Sequence, residues 1–100
     1  MGKLITVFWR DIPSHIIFKT KSGKFKKQMS PRFEKAIDRA AMRAGKGSSD
    51  AYMADWRREI VKIKTDDPQS IVDQEIELLE QMFSDDLLEK TVKSKGIKER

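Results

Sequence analysis

Two short segments that combine tryptophan with arginine are the strongest candidates for a working surface. Arginine beside tryptophan presents a planar cation that can stack on a ring or hold a carboxylate or phosphate through two hydrogen bonds. Both residue types are also enriched among those that dominate protein–protein binding. The segments are Trp9-Arg10-Asp11 and Trp56-Arg57-Arg58, the second of which follows Tyr52. A structural role is the alternative, with each tryptophan in the core and its arginine bridged to Asp11, but two such clusters in one small chain favour a binding site.

A second candidate surface is basic and lies on a predicted helix. Its cations recur at intervals of three and four residues, which places them on one side of the helix. They are Arg32, Lys35, Arg39, Arg43 and Lys46. Such a stripe, together with a lysine-rich hairpin before it, could follow the phosphates of a nucleic acid. The alternative is a solvated face, because no aromatic residue lies in the stripe to stack on bases.

The chain has few of the residue types that bind metals or cofactors or that act as nucleophiles. The chain has no cysteine and one histidine, His15, so no zinc ligand set can be assembled. The acidic pairs Asp66-Asp67 and Asp85-Asp86 precede predicted helices, where carboxylates favour the positive end of the helix dipole. An acid–base pair of Asp11 with Asp50 or Asp55 is the remaining catalytic option, because such a pair needs only spatial proximity. We predict no metal and no cofactor, and we favour a non-catalytic role over this option.

The charge is unevenly distributed. The chain has 100 residues and a net charge of +5, but residues 1–64 hold 16 Lys/Arg against 6 Asp/Glu, and residues 65–89 hold 9 Asp/Glu and no Lys/Arg. The acidic segment could form a docking surface opposite a basic body, or it could lie on that body and neutralise it. The absence of cysteine suits a reducing compartment, and the apolar N-terminal run is too short to cross a membrane. We therefore expect a cytoplasmic protein that does not bind membranes.

The elements that must position these residues follow from residue pattern. β-Branched and aromatic residues predict a central strand over residues 4–9 and a hairpin over residues 15–29 with its turn at residues 21–24. Ser30-Pro31 predicts a helix start, and Gly45 its end. A short helix from Ser49 through Trp56, a strand over residues 60–64, and two helices after Pro68 and Ser84 complete the order βββααβαα.

This order predicts an α+β fold in which a small antiparallel sheet of three to four strands carries helices on one face. No linker is long enough to separate two domains. We expect one domain over residues 1–95 and a charged, frayed tail over residues 96–100.

Three segments together carry a family resemblance. They are TVFWRDIP at residues 6–13, RFEKAIDRAAMRAG at residues 32–45 and DAYMADWRR at residues 50–58. The chain resembles, over roughly residues 4–92, the small bacterial family called virulence factor, which is common in alphaproteobacteria. The family name describes no activity and supplies no catalytic residues. The resemblance implies an accessory role beside folate- and corrinoid-dependent methyl transfer, as in methionine synthesis.

Taken together, these patterns predict a non-catalytic module that binds a larger protein through its tryptophan–arginine clusters. A nucleic-acid-binding domain that uses the basic stripe and the lysine-rich hairpin is the first alternative. A small enzyme with a carboxylate pair is the second.

Overall fold

Four antiparallel strands form one sheet. The computed structural model describes residues 2–45 and 53–97. The strands are β1 (Gly2–Trp9), β2 (Ile12–Thr20), β3 (Gly23–Gln28) and β4 (Trp56–Ile63), in the spatial order β3-β2-β1-β4. The apolar β1 is an inner strand, as its near-continuous run of buried residues requires. The α+β prediction is confirmed.

Within residues 2–45 and 53–97, three helices follow from local start and stop signals. They are α1 (Pro31–Arg43), α2 (Pro68–Met82) and α3 (Asp85–Lys93). The side chain of Asp67 accepts a hydrogen bond from the Ser70 amide at the start of α2, and Ser84 does the same for Leu87 at the start of α3. Side-chain oxygens at this position satisfy amides that have no partner within the helix. Both helices therefore begin where the sequence predicts them to begin.

The start of α1 is held differently from the sequence prediction. Ser30 makes no side-chain bond to its own helix. Instead, its amide and its hydroxyl both donate to the Glu80 carboxylate of α2, at 2.8 and 2.9 Å. A tertiary contact therefore replaces the expected local cap.

The core lies between the sheet and the helices. Phe33, Ile37 and Ala40 of α1 pack with Ile16 and Phe18 of β2, and all five are almost completely buried. Helices α2 and α3 and the segment between them contribute Val72, Ile76, Leu79, Phe83, Leu88 and Val92. Apolar residues at helical spacing therefore form the core side of each helix, whereas Met82, the last residue of α2, is 48 % exposed.

Two boundaries differ from prediction. Strand β2 begins at Ile12 and includes Pro13, which pairs with Phe8 at a shift in register; proline is accommodated where a strand is irregular. Trp56 is the first residue of β4, where the pattern had predicted the last residue of a helix. Of the rest of that predicted helix, residues 54 and 55 form a turn, and residues 49–52 lie outside the described residues. Of the helices described here, none is both long and apolar enough to cross a membrane.

Candidate functional site

The two tryptophan–arginine segments meet at one corner of the sheet. Trp9, the last residue of β1, pairs with Trp56, the first residue of β4. On its other side Trp9 pairs with Ile12, so that Arg10 and Asp11 form a two-residue loop between β1 and β2. Two clusters that are 47 residues apart in the chain are therefore a single site in space.

The loop is held by backbone hydrogen bonds from two directions. The amide of Arg10 donates to the carbonyl of Asp55 at 3.0 Å, and the amide of Asp11 donates to the carbonyl of Gly96 at 2.9 Å. Arg10 has a φ of 53°, in the left-handed region that non-glycine residues rarely occupy. These two hydrogen bonds fix the backbone of the loop and so stabilise the unfavourable conformation of Arg10.

Trp9 is a packing residue at this corner. Its side chain is completely buried and belongs to the core. A Cβ atom added to Gly96 would lie 2.7 Å from Cζ3 of Trp9, so the backbone after α3 passes directly against the indole ring. Side chains alternate between the two faces of a regular strand, so Leu4 and Trp9 of β1 would point to opposite faces. Both belong to the core because the register of β1 with β2 shifts between Val7 and Phe8. A partner protein has no access to the Trp9 ring.

Arg10 is engaged within the domain. Its guanidinium carbon lies 5.2 Å from the centre of the Trp9 ring. Nη1 donates to the carbonyl of Lys95 at 2.8 Å, and Nε lies 3.4 Å from Oδ2 of Asp55. The Arg10 side chain is 19 % exposed. Arg10 thus ties the end of α3 and the start of β4 to the loop.

Arg57 is more exposed than Arg10 and equally engaged. Nε donates to the carbonyl of Arg10 at 2.8 Å, Nη2 to Asp11 at 3.3 Å and Nη1 to Glu59 at 3.0 Å. The guanidinium also lies over the ring of Phe8, at 4.3 Å from its centre. Arg57 fixes the geometry of the corner, while 43 % of its side chain remains exposed.

A cavity of about 460 Å³ opens beside this network. It is lined by Val7, His15, Met53, Trp56, Arg57 and Arg58. Trp56 is partly exposed while its inner side packs on the core. Arg58 is exposed and forms no ion pair with the described residues. Indole, thioether and aliphatic groups beside the exposed guanidinium of Arg58 suit an apolar side chain with a neighbouring carboxylate.

His15 contributes an uncharged ring to this cavity. Its pKa is lowered from 6.5, first because burial disfavours the charged form and then because Lys26 and Arg58 repel a proton. Ser14 Oγ lies 3.1 Å from its Nδ1 atom. The imidazole is therefore neutral at pH 7, and Arg58 is the positive charge that a ligand would meet beside it.

The basic stripe of α1 faces the acidic region of the chain. Arg39 donates to both carboxylate oxygens of Glu89 at 2.8 Å, and Arg32 contacts Glu80 and Asp85, each at 3.1 Å. The hydrogen bonds from Arg39 lower the pKa of Glu89. Two of the cations predicted to bind phosphates are therefore paired with carboxylates within the domain. This is the arrangement in which the acidic segment lies on the basic body and neutralises it, while Arg43 remains exposed.

The candidate acid–base pair is divided among ion pairs. Asp11 lies 3.3 Å from Arg57, and Asp55 lies 3.4 Å from Arg10. Asp50 and Tyr52 lie outside the described residues. Across residues 2–45 and 53–97, no group of three or more His, Asp or Glu side chains is arranged to hold a metal ion.

Sequence reasoning missed part of the cavity. Val7, His15 and Arg58 come together because Val7 of β1 pairs with His15 on one side and with Arg58 on the other. The pairing of β1 with β4 spans about half of the chain, and no local pattern encodes it. Only Arg58 had been predicted, from its place after Trp56 and Arg57.

Comparison with protein families agrees with the segments noted above. A family model described as Virulence factor matches residues 7–92. The chain belongs to the Virulence factor family. The match covers the β1–β2 corner, α1, β4 and the cavity, so the whole candidate site of this Virulence factor protein lies within the family domain. No curated protein and no solved structure matches the chain significantly.

Proposed function

We propose that this Virulence factor protein is a non-catalytic, cytoplasmic module that binds a larger protein through the corner cavity. The observation that carries the proposal is the pairing of Trp9 with Trp56, which brings the partly exposed indole of Trp56 and the exposed cation of Arg58 into the lining of one cavity. Exposed tryptophan and arginine side chains on a rigid support are the typical anchors of protein interfaces.

The rigidity of the corner supports a binding role. Arg10 and Arg57 are held by three or more contacts each, so Trp56 and Arg58 project from a backbone that does not have to be ordered when a partner binds. Binding to a preorganised surface avoids much of the entropic cost of association. Proteins of folate- and corrinoid-dependent methyl transfer, which the family resemblance implies, are the first partners to test.

Affinity purification from native extract, followed by titration of the purified partner, tests this function. We expect Arg58→Ala to weaken the complex by about 30-fold or more, as for an interface anchor. Arg43→Ala is the matched control, because Arg43 is also an exposed arginine but lies on α1, away from the cavity. Equal affinities of wild type and Arg58→Ala for the recovered partner would refute the assignment of this site.

A further inference from the structure

The sheet has a second face, opposite the helices, which we call the outer face. Strand pairing places twelve described side chains on it, in three rows that cross the strands. The rows are Lys24-Lys19-Lys3-Lys62, Lys26-Ile17-Ile5-Ile60 and Gln28-His15-Val7-Arg58. Ile5 and Val7 are buried but lie outside the core cluster that the helices share, which confirms that they point away from the helices. The last row ends in the corner cavity.

The first row aligns four lysines across all four strands. Lys3 pairs with Lys19 on one side and with Lys62 on the other, and Lys19 pairs with Lys24. Neighbouring strands are about 4.8 Å apart, and like charges in direct opposition destabilise a sheet. None of the twelve positions carries an acidic residue, so the described outer face offers no internal compensation. A ligand that supplies negative charge would offset this repulsion.

The middle row adds an apolar strip beside the lysines. Ile5 of β1 pairs with Ile17 of β2 on one side and with Ile60 of β4 on the other, and Ile60 is 56 % exposed. An apolar centre bordered by charge is the composition of a protein interface. It does not suit a nucleic acid, since no aromatic side chain occupies any of the twelve positions to stack on bases.

The helix-covered face of the same sheet shows which kind of segment packs against these strands. There the acidic helix α2 covers the strands, its Val72 and Ile76 pack into the core, and its Asp73 binds Lys27 of β3 at 2.9 Å. A second copy of this chain could not pair outer face to outer face, because the lysine rows would repel each other. The complementary occupant is therefore a segment that is both acidic and apolar.

We propose that the outer face binds an acidic amphipathic segment of the protein partner, with apolar side chains on the isoleucine row and carboxylates on the lysine row. The proposal rests on the proposed function and defines the chemistry of the partner. It extends the contact surface from the corner cavity across the sheet.

Defined peptides test this proposal without knowledge of the natural partner. The probe is a synthetic amphipathic helix with leucines on one stripe and glutamates on the adjacent stripe, titrated into the full chain at low and at physiological salt. We expect shifts of the backbone amide resonances of β1, β2 and β4, and an affinity that falls with salt. A scrambled peptide of the same composition should bind more weakly, because it cannot present both rows of contacts at once.

Matched variants separate this face from net charge. Lys3→Gln with Lys62→Gln should weaken peptide binding about threefold to tenfold, as expected for two exposed ion pairs. Lys35→Gln with Lys93→Gln removes the same charge from α1 and α3 and should leave binding unchanged. Circular dichroism confirms folding of both.

Three results would overturn the proposal. They are absence of peptide binding at low salt, amide shifts confined to α1 and α3, and tighter binding of a single-stranded oligonucleotide of equal charge. The corner cavity is tested by Arg58→Ala on the natural partner and the outer face by defined peptides, so failure of one proposal can be distinguished from failure of the other.

Discussion

The close approach of Gly96 to Trp9 leads to a specific prediction for Gly96→Ala. Gly96 is buried, has a φ of 89°, and donates its amide to the carbonyl of Thr91 at 2.8 Å. A Cβ atom there would lie 2.7 Å from Cζ3 of Trp9 and 3.3 Å from Cδ of Arg10. The indole ring is enclosed by the core and cannot rotate away without displacing its neighbours.

Two terms set the magnitude of this effect. The left-handed backbone conformation costs an alanine about 1–2 kcal/mol. Overpacking against the buried ring costs about a further 1–3 kcal/mol. The unfolding free energy should therefore fall by roughly 2–5 kcal/mol, which for a chain of this size lowers the melting temperature by roughly 10–30 °C.

Gly45→Ala is the control that separates the two terms. Gly45 has a φ of 70°, but a Cβ atom at this position would meet nothing within 4 Å. This variant should lose only about 1–2 kcal/mol of unfolding free energy, which is the cost of the left-handed backbone conformation. Both substitutions reduce the entropy of the unfolded chain equally, so this effect cancels when the two variants are compared. Urea unfolding followed by circular dichroism measures both losses, and near-ultraviolet circular dichroism reports on the tryptophan environment. If the two variants lost the same unfolding free energy, the packing of Gly96 on Trp9 would not be a constraint.

Two further predictions concern charge. Burial raises the pKa of Glu80, but hydrogen bonds from Ser30 and Arg32 lower it by more, so the folded-state pKa lies below the ordinary 4.5. The resulting stability is fully present above pH 4.5 and is lost as pH falls through the folded-state pKa, so acid titration of the unfolding free energy should have a smaller slope in Glu80→Gln than in wild type. An equal slope would exclude this carboxyl as a source of acid lability. Lys3→Gln should raise the unfolding free energy by about 0.5 kcal/mol, because it removes the repulsion from Lys19 and Lys62. Urea unfolding at low and high salt should show that this gain in stability shrinks as the salt concentration rises. A loss of stability would contradict the alignment of the lysines across the strands.

Much of the fold could be predicted because its signals are local. Asp67, Ser84 and Gly45 mark helix ends through bonds and dihedral angles that span only a few residues. The core stripes of the helices follow from the same short-range periodicity. The predictions failed where a distant partner decides the outcome: Trp56 follows a helix-like pattern, but pairing with Trp9 makes it the first residue of a strand.

By itself, the sequence determined the fold class, the inner position of β1 and the starts of the helices, and it carried the resemblance to the family whose model matches the chain. It also placed tryptophan and arginine at two points in the chain, without showing that Trp9 is buried, that Trp56 is partly exposed, or that the two points are one site. The tertiary structure alone decided the pairing of Arg32 and Arg39 with acidic residues about 50 positions away, and the alignment of lysines from four strands. The physical reason is register: helix signals act within one turn, whereas the neighbours of a strand residue are set by contacts that form only when the whole sheet assembles.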